Sequence, residues 1–188
     1  MENIFCKDLK LDFDVNLDPL KKIRDTYEKK DQMMMFPYSI NDVDPRLVKW
    51  LDDLGMYISH QEVFYTPPGG KLPIHVDQYS YSNICKLNWI LDAKGSQMVW
   101  FQPKPGTQLR YYTTPIGTQY LMFEPDEVNE IYRDEIKLGT IVNAGIPHSV
   151  YNDTNEGRWC LSHCPSLKTT RKMIEWPQAM EIFANFLK

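Results

Sequence analysis

"GTIVNAGIPHSVYNDTNEGRWCLSHC", residues 139–164, decides the fold. A short β-branched run leads into a Gly-Ile-Pro turn, and His148 follows directly. A polar tip, "NDTNEG", then separates "HSVY" from a new run that starts at Arg158. Short runs of this composition, punctuated by turn residues, read as strands. His148 and Arg158 lie ten residues apart, which predicts adjacent antiparallel strands. If both side chains point inward, they share one end of a barrel. Arg158, Cys160 and Ser162 have the same strand parity and should line one face.

The same pattern extends outward on the N-terminal side, back to Gly55. "MYISHQEVFY" (56–65), "KLPIHV" (71–76), "CKLNWIL" (85–91), "QMVWFQ" (97–102) and "TQYLMFE" (118–124) are each bounded by turn signals such as "TPPGG", "DAKGS", "PKPGT" and "PDEVNE". With the three runs of 139–164, about eight short strands at this spacing predict a mainly β sandwich or jelly roll, not a βαβ fold. Before Gly55 two helices are expected. In "LDPLKKIRDTYEKKD" Asp18 is the expected cap, Pro19 the first helical residue, and Leu20, Ile23 and Tyr27 the apolar face. In "DPRLVKWLDDLG" Asp44 caps, Leu47, Val48, Leu51 and Leu54 form the buried stripe, and Gly55 stops the helix. A last helix starts at Pro177, with Met180, Phe183 and Leu187 docking on the sheet. The expected organisation is a single domain over 1–188. It comprises helical N-terminal support (1–55), a β core (56–165) and a C-terminal helix (166–188).

The 43% hydrophobic content of 188 residues is enough for a buried core and argues against disorder. No apolar run approaches the roughly 20 residues that span a bilayer, and no export signal opens the chain. Cysteines at 6, 85, 160 and 164 form no C-x-x-C pair, which suggests reduced thiols and a cytoplasmic setting. A net charge of −4 argues against a nucleic-acid partner.

A second informative stretch is "LPIHVDQYSY", residues 72–81, with His75 and Asp77 two apart. Alone, the pair is weak. With His148 it supplies two imidazoles and a carboxylate, a set suited to non-haem Fe(II) with positions left open. An octahedral metal with three protein ligands keeps three sites. A 2-oxo acid fills two of them and dioxygen the third. The far carboxylate of such an acid needs a cation, and an arginine fork such as that of Arg158 suits it.

The order H-x-D, then "KLNWIL", then "PHSVYN" with an Arg ten residues after the His, resembles the Fe(II)/2-oxoglutarate-dependent oxygenases, whose core is a double-stranded β-helix of the jelly-roll, cupin-like kind. The resemblance covers roughly residues 60 to 165 at the level of motifs. It implies that His75, Asp77 and His148 hold Fe(II) and that Arg158 holds 2-oxoglutarate. Dioxygen would then hydroxylate a C–H bond of a small molecule or of a peptide or protein side chain. The family often has Ser two residues after the Arg, where this chain has Cys160. Ser162 by parity, and Tyr65, Lys86 and Asn88 by strand location, are the candidate further contacts to 2-oxoglutarate.

Two other readings remain open. One is a cupin-like module that binds metal or serves structure without oxygenase activity. The other is a metallo-hydrolase with a His/Asp/His site, against which stands the lack of an H-E-x-x-H helix. His60 and His163 match no ligand position, although His163 beside Cys164 leaves a zinc site open. Trp89, Trp100 and Trp159 read as core or groove lining, and Ile74, Val76 and Val150 as an apolar wall that keeps water off the site. "YSYS" at 79–82 is a candidate substrate contact. Residues 103–119 read as either a lid or a strand-edge insert.

Overall fold

The computed structural model describes residues 3–28, 30–77, 83–113 and 119–188. In chain order the elements are β1 (Cys6–Asp8), α1 (Asp18–Thr26), β2 (Met34–Pro37), α2 (Pro45–Asp53), β3 (Met56–Thr66), β4 (Ile74–Val76), β5 (Cys85–Leu91), β6 (Gln97–Pro103), β7 (Arg110–Thr113), β8 (Gln119–Phe123), β9 (Val128–Glu135), β10 (Leu138–Asn143), β11 (His148–Tyr151), β12 (Arg158–Leu167) and α3 (Trp176–Ile182). They build two antiparallel sheets, in the orders β1-β10-β5-β12-β3-β2 and β7-β8-β4-β11-β6-β9.

The chain swaps sheets at nearly every step of the core. β3, β4, β5 and β6 alternate between the two, and β9, β10, β11 and β12 do so again. Within each sheet, strands of the first run interleave with strands of the second, as in β10-β5-β12-β3 and β4-β11-β6-β9. Two chain segments thus wind around one axis, which is the double-stranded β-helix expected from the sequence. All eight expected strands are present.

Four further strands were not anticipated. β1 and β2 extend the edges of the first sheet, β7 extends one edge of the second, and β9, a strand of the winding itself, forms its other edge. The 103–119 stretch therefore contributes an edge strand, β7, paired to β8; residues 114–118 fall outside the description, as does "YSYS" at 79–82.

The outer face of the first sheet carries the main core. Trp159, Leu161, Val63, Tyr65, Leu87 and Trp89 pack there with Leu20 of α1, Leu47 and Leu51 of α2, and Phe183 after α3. Burying each such side chain contributes about 1.5–3 kcal/mol, which fixes the helices on this face. In α2 the Asp44 carboxylate accepts from the Arg46 amide at 2.8 Å, and Gly55 takes φ 74° past the helix end. Both follow the sequence reading. Two details do not. Asp18 is the first helical residue and makes no cap bond; Leu17 holds the cap position, and the Asn16 side chain accepts from the Asp18 amide. Val48 is exposed, because in this nine-residue helix only Leu47 and Leu51, one turn apart, face the sheet squarely.

Among the described residues no helix is long and apolar enough to cross a membrane. All four cysteines are free and buried.

Candidate metal centre

His75 and His148 meet because β4 and β11 pair in antiparallel register with these two residues directly opposite. Their ring centroids are 4.6 Å apart. Asp77 follows β4 by one residue, and its amide donates to the Ala144 carbonyl at 3.3 Å, which anchors it next to β10. One ligand atom from each of His75, Asp77 and His148 lies within 4.8 Å of the other two.

The hydrogen bonds fix the tautomers. His75 Nδ1 is 2.8 Å from the Pro73 carbonyl oxygen, and His148 Nδ1 is 2.8 Å from that of Ile146. A carbonyl only accepts, so each Nδ1 carries the proton. In the neutral form of either ring this leaves the Nε2 lone pair for the cavity. His75 Nε2 sits 3.1 Å from Asp77 Oδ1. A lone pair facing a carboxylate repels it unless something positive lies between them, a proton or a metal. The donor set and its orientation therefore fit a divalent cation. Burial holds the His148 pKa down at about 4, helped by the neighbouring His75 and opposed by Asp77, so the ring is neutral and free to ligate near pH 7.

The second oxygen of Asp77 is occupied. Lys86 Nζ, on β5 of the opposite sheet, lies 2.8 Å from Asp77 Oδ2 with both side chains buried. Burial alone would raise the Asp77 pKa. The Lys86 charge outweighs it and holds the carboxyl well below its usual range. Burial would likewise lower Lys86, and Asp77 more than reverses this.

These groups line a cavity of about 70 Å³. Arg158 lines its wall, 2% exposed, with its Nε unpartnered among the described residues. Burial pushes the Arg158 pKa down, against a hydrogen bond to Cys160 that supports the charge. A buried guanidinium nitrogen without a partner is costly, and an anion in the cavity would relieve it. Asn88 presents an equally unpartnered Oδ1, and Ser162, opposite it in register, lines the same wall. Asp77 is the only carboxylate in this lining among the described residues.

Several residues hold Arg158 where it is. The Asn152 amide, fully buried, donates to the carbonyls of Thr66, Pro67 and Glu156 and clamps the hairpin tip. Gly157 lies so close to Tyr65 that a Cβ there would stand 2.4 Å from the ring. On the other sheet the Ser149 hydroxyl donates to the Leu72 carbonyl at 2.6 Å and ties β11 to the segment before β4.

The structure thus brings His75, Asp77, His148, Arg158, Asn88 and Ser162 to one cavity, and Cys160 with them. It corrects Tyr65. That residue pairs with Trp159 on the outward row, and its hydroxyl donates to the Lys30 carbonyl at 2.8 Å. The cavity neighbour on β3 is Phe64. Ile74 and Val76 are corrected likewise: they flank His75 and point to the far side of the second sheet, into a cluster with Val99 and Leu121. Val150 does line the cavity. His163 and Cys164 cannot share a zinc, because neighbours on β12 face opposite sides of the sheet. Tyr120 was missed: it stands edge-on to the His75 ring, centroids 5.4 Å apart. Its strand was readable, but its place depends on β8 pairing with β4. A larger groove of about 730 Å³, between residues 9–21 and 89–92, holds no convergent ligand set among the described residues, so the chemistry is assigned to the smaller cavity.

No protein-family model matches the chain, and no curated protein sequence does. Solved structures that resemble it include YcfD from Escherichia coli, described as a ribosomal oxygenase in complex with cobalt and 2-oxoglutarate, at 16% identity and a TM-score of 0.42 over 73% of this chain and 34% of that one. A Pseudomonas putida prolyl-4-hydroxylase resembles it at 12% identity and a TM-score of 0.40, over 77% of this chain and 82% of that one. The 11S globulin procruciferin from Brassica napus does so at 14% identity and a TM-score of 0.36, over 92% of this chain and 34% of that one. The chain spans about a third of the length of the YcfD chains. These likenesses concern the fold, and the functional reading rests on the site.

Proposed function

We propose that the chain is an Fe(II)- and 2-oxoglutarate-dependent dioxygenase that hydroxylates an unactivated C–H bond of a small molecule or of a peptide or protein side chain. The observation that carries this reading is the convergence of His75, Asp77 and His148 in one cavity with the buried, unsatisfied Arg158. These three ligands would hold the iron. Bound there, it couples C–H oxidation by dioxygen to the conversion of 2-oxoglutarate into succinate and carbon dioxide.

The chain's own residues supply position and dryness. The carbonyls of Pro73 and Ile146 aim the two imidazoles. Arg158 pairs with the far carboxylate of 2-oxoglutarate through parallel hydrogen bonds, while Asn88 and Ser162 offer polar contacts along the same wall. Phe64, Leu72, Met98, Val142 and Val150 exclude water, so the oxidant is directed at substrate. Four free, buried thiols suit a reducing, cytoplasmic setting. A hydrolase would need a general base, and the lining offers no carboxylate besides the ligand itself among the described residues.

The test is anaerobic addition of Fe(II) and 2-oxoglutarate, followed by air. A visible charge-transfer band before air and succinate after it are expected. Metal binding without either result would overturn the proposal. One observation favours a second reading, a module without oxygenase activity: the Lys86–Asp77 pair already satisfies the carboxylate's charge without a metal. In that case no divalent ion binds in the cavity.

A further inference from the structure

Lys86 has no role in the proposal above, yet it touches one of the three ligands. We infer that Lys86 is a positioning residue of the metal centre, which holds Asp77 to ligation through one oxygen. The inference rests on the oxygenase reading for its purpose, and on the metal site alone for its test.

The two neighbours of Asp77 divide its carboxylate. Oδ1 faces His75 Nε2 at 3.1 Å, on the side of the ligand cluster, and Oδ2 faces Lys86 Nζ at 2.8 Å. A metal drawn to the two imidazoles meets Oδ1. For Oδ2 to ligate as well, it must share its charge between the metal and the ammonium, two cations that repel each other. Lys86 has little freedom to leave: it pairs in register with Val142 on β10, its Nζ lies 5.6 Å from the centre of the Phe64 ring, and its side chain is 10% exposed. Besides Asp77, the charged or titratable groups around it include Cys164, Glu62, Cys160, His148 and Tyr120. The Glu62 carboxylate is already paired with His60 Nε2 at 3.0 Å.

Counting positions gives the purpose. Six coordination sites less three protein ligands leave three, and a chelating 2-oxo acid takes two. A bidentate aspartate would take the last. An ammonium on the outer oxygen opposes this, and its charge repels the metal, so the site keeps its geometry at some cost in affinity.

The test uses Co(II) on the full chain, without 2-oxoglutarate. Lys86→Met removes the charge, Lys86→Gln keeps an N–H for Oδ2, and Lys86→Arg keeps both. Gln is the safeguard if Met fails to fold. Expected Co(II) affinity rises about tenfold in Lys86→Met, less in Lys86→Gln, and stays at the wild-type value in Lys86→Arg. The visible absorption of bound Co(II), which weakens as coordination number rises, should weaken in the neutral variants alone. Equal affinities and equal spectra across the series would overturn the inference and leave Lys86 as an ion pair for the fold. Weaker Co(II) binding in the neutral variants would overturn it too. If wild type binds Co(II) but shows no response to 2-oxoglutarate, the oxygenase reading fails while the series still decides on Lys86. If wild type binds no Co(II), both fail.

Discussion

The two faces of β12 make opposite uses of one strand. On the inner face Arg158, Cys160 and Ser162 turn toward the cavity and are polar, buried and partly unsatisfied. On the outer face Trp159 and Leu161 sit under the helices, with Trp159 against Tyr65, Phe36 and Tyr27 at centroid distances of 4.5, 5.8 and 5.7 Å. Alternation at period two lets neighbouring residues serve the site and the core without compromise. The inner face is costly to fold and the outer face offsets that cost.

Substitutions can separate the faces, and the largest effect belongs outside. Trp159→Ala should destabilise by about 3–5 kcal/mol in denaturant melts, while the folded fraction keeps its Co(II) affinity. A loss of metal binding in folded protein would mean the faces are coupled. Inside, His148→Ala should lower metal affinity by more than about 100-fold, roughly 3 kcal/mol, with a small effect on the melt. Unchanged metal stoichiometry would remove His148 from the ligand set. Arg158→Ala should leave Co(II) binding intact and weaken 2-oxoglutarate binding by about 1.5–3 kcal/mol, read by calorimetry on the cobalt-loaded protein. If that affinity does not move, another cation holds the acid.

How much of this was readable in the sequence follows the same division. The β-branched and aromatic runs marked seven of the eight strands that wind the β-helix, and β8 beside them, because burial demands those residues there. The edge strands escaped: β9 reads "VNEIYRDE", and a strand with one solvated face and many charges looks like a loop. Parity within 158–162 was readable, since it needs only counting. Tyr65 was misassigned because parity says which residues share a face, not which face is inside. That depends on the register of β3 with β12, and a shift of one residue reverses it. The ligand residues were readable as types. The grip of Lys86 on Asp77 was not, since it joins two sheets whose facing is set only by the closed barrel.

The smallest effect concerns the one outer residue of β12 that breaks the division. His163 is fully buried, edge-on to Trp89 at 5.3 Å, with both ring nitrogens unpartnered among the described residues. Burial holds its pKa down at about 3, from an ordinary value of 6.5. The unfolded chain therefore takes up a proton below about pH 6.5 that the folded chain refuses, and stability falls as pH drops from there toward 3. His163→Leu removes this proton. At neutral pH it should change stability by about 1 kcal/mol or less, in the stabilising direction, since an apolar side chain leaves no buried donor unmade. Between pH 6.5 and 5 the fall in stability should become shallower, by up to about 1.4 kcal/mol per pH unit. The metal-free protein should keep the share due to His148, which is also held neutral. Denaturant melts across that window read the slope. An unchanged slope would mean that His163 is protonated in the folded chain, and that the outer face of β12 is not the dry core its neighbours make it.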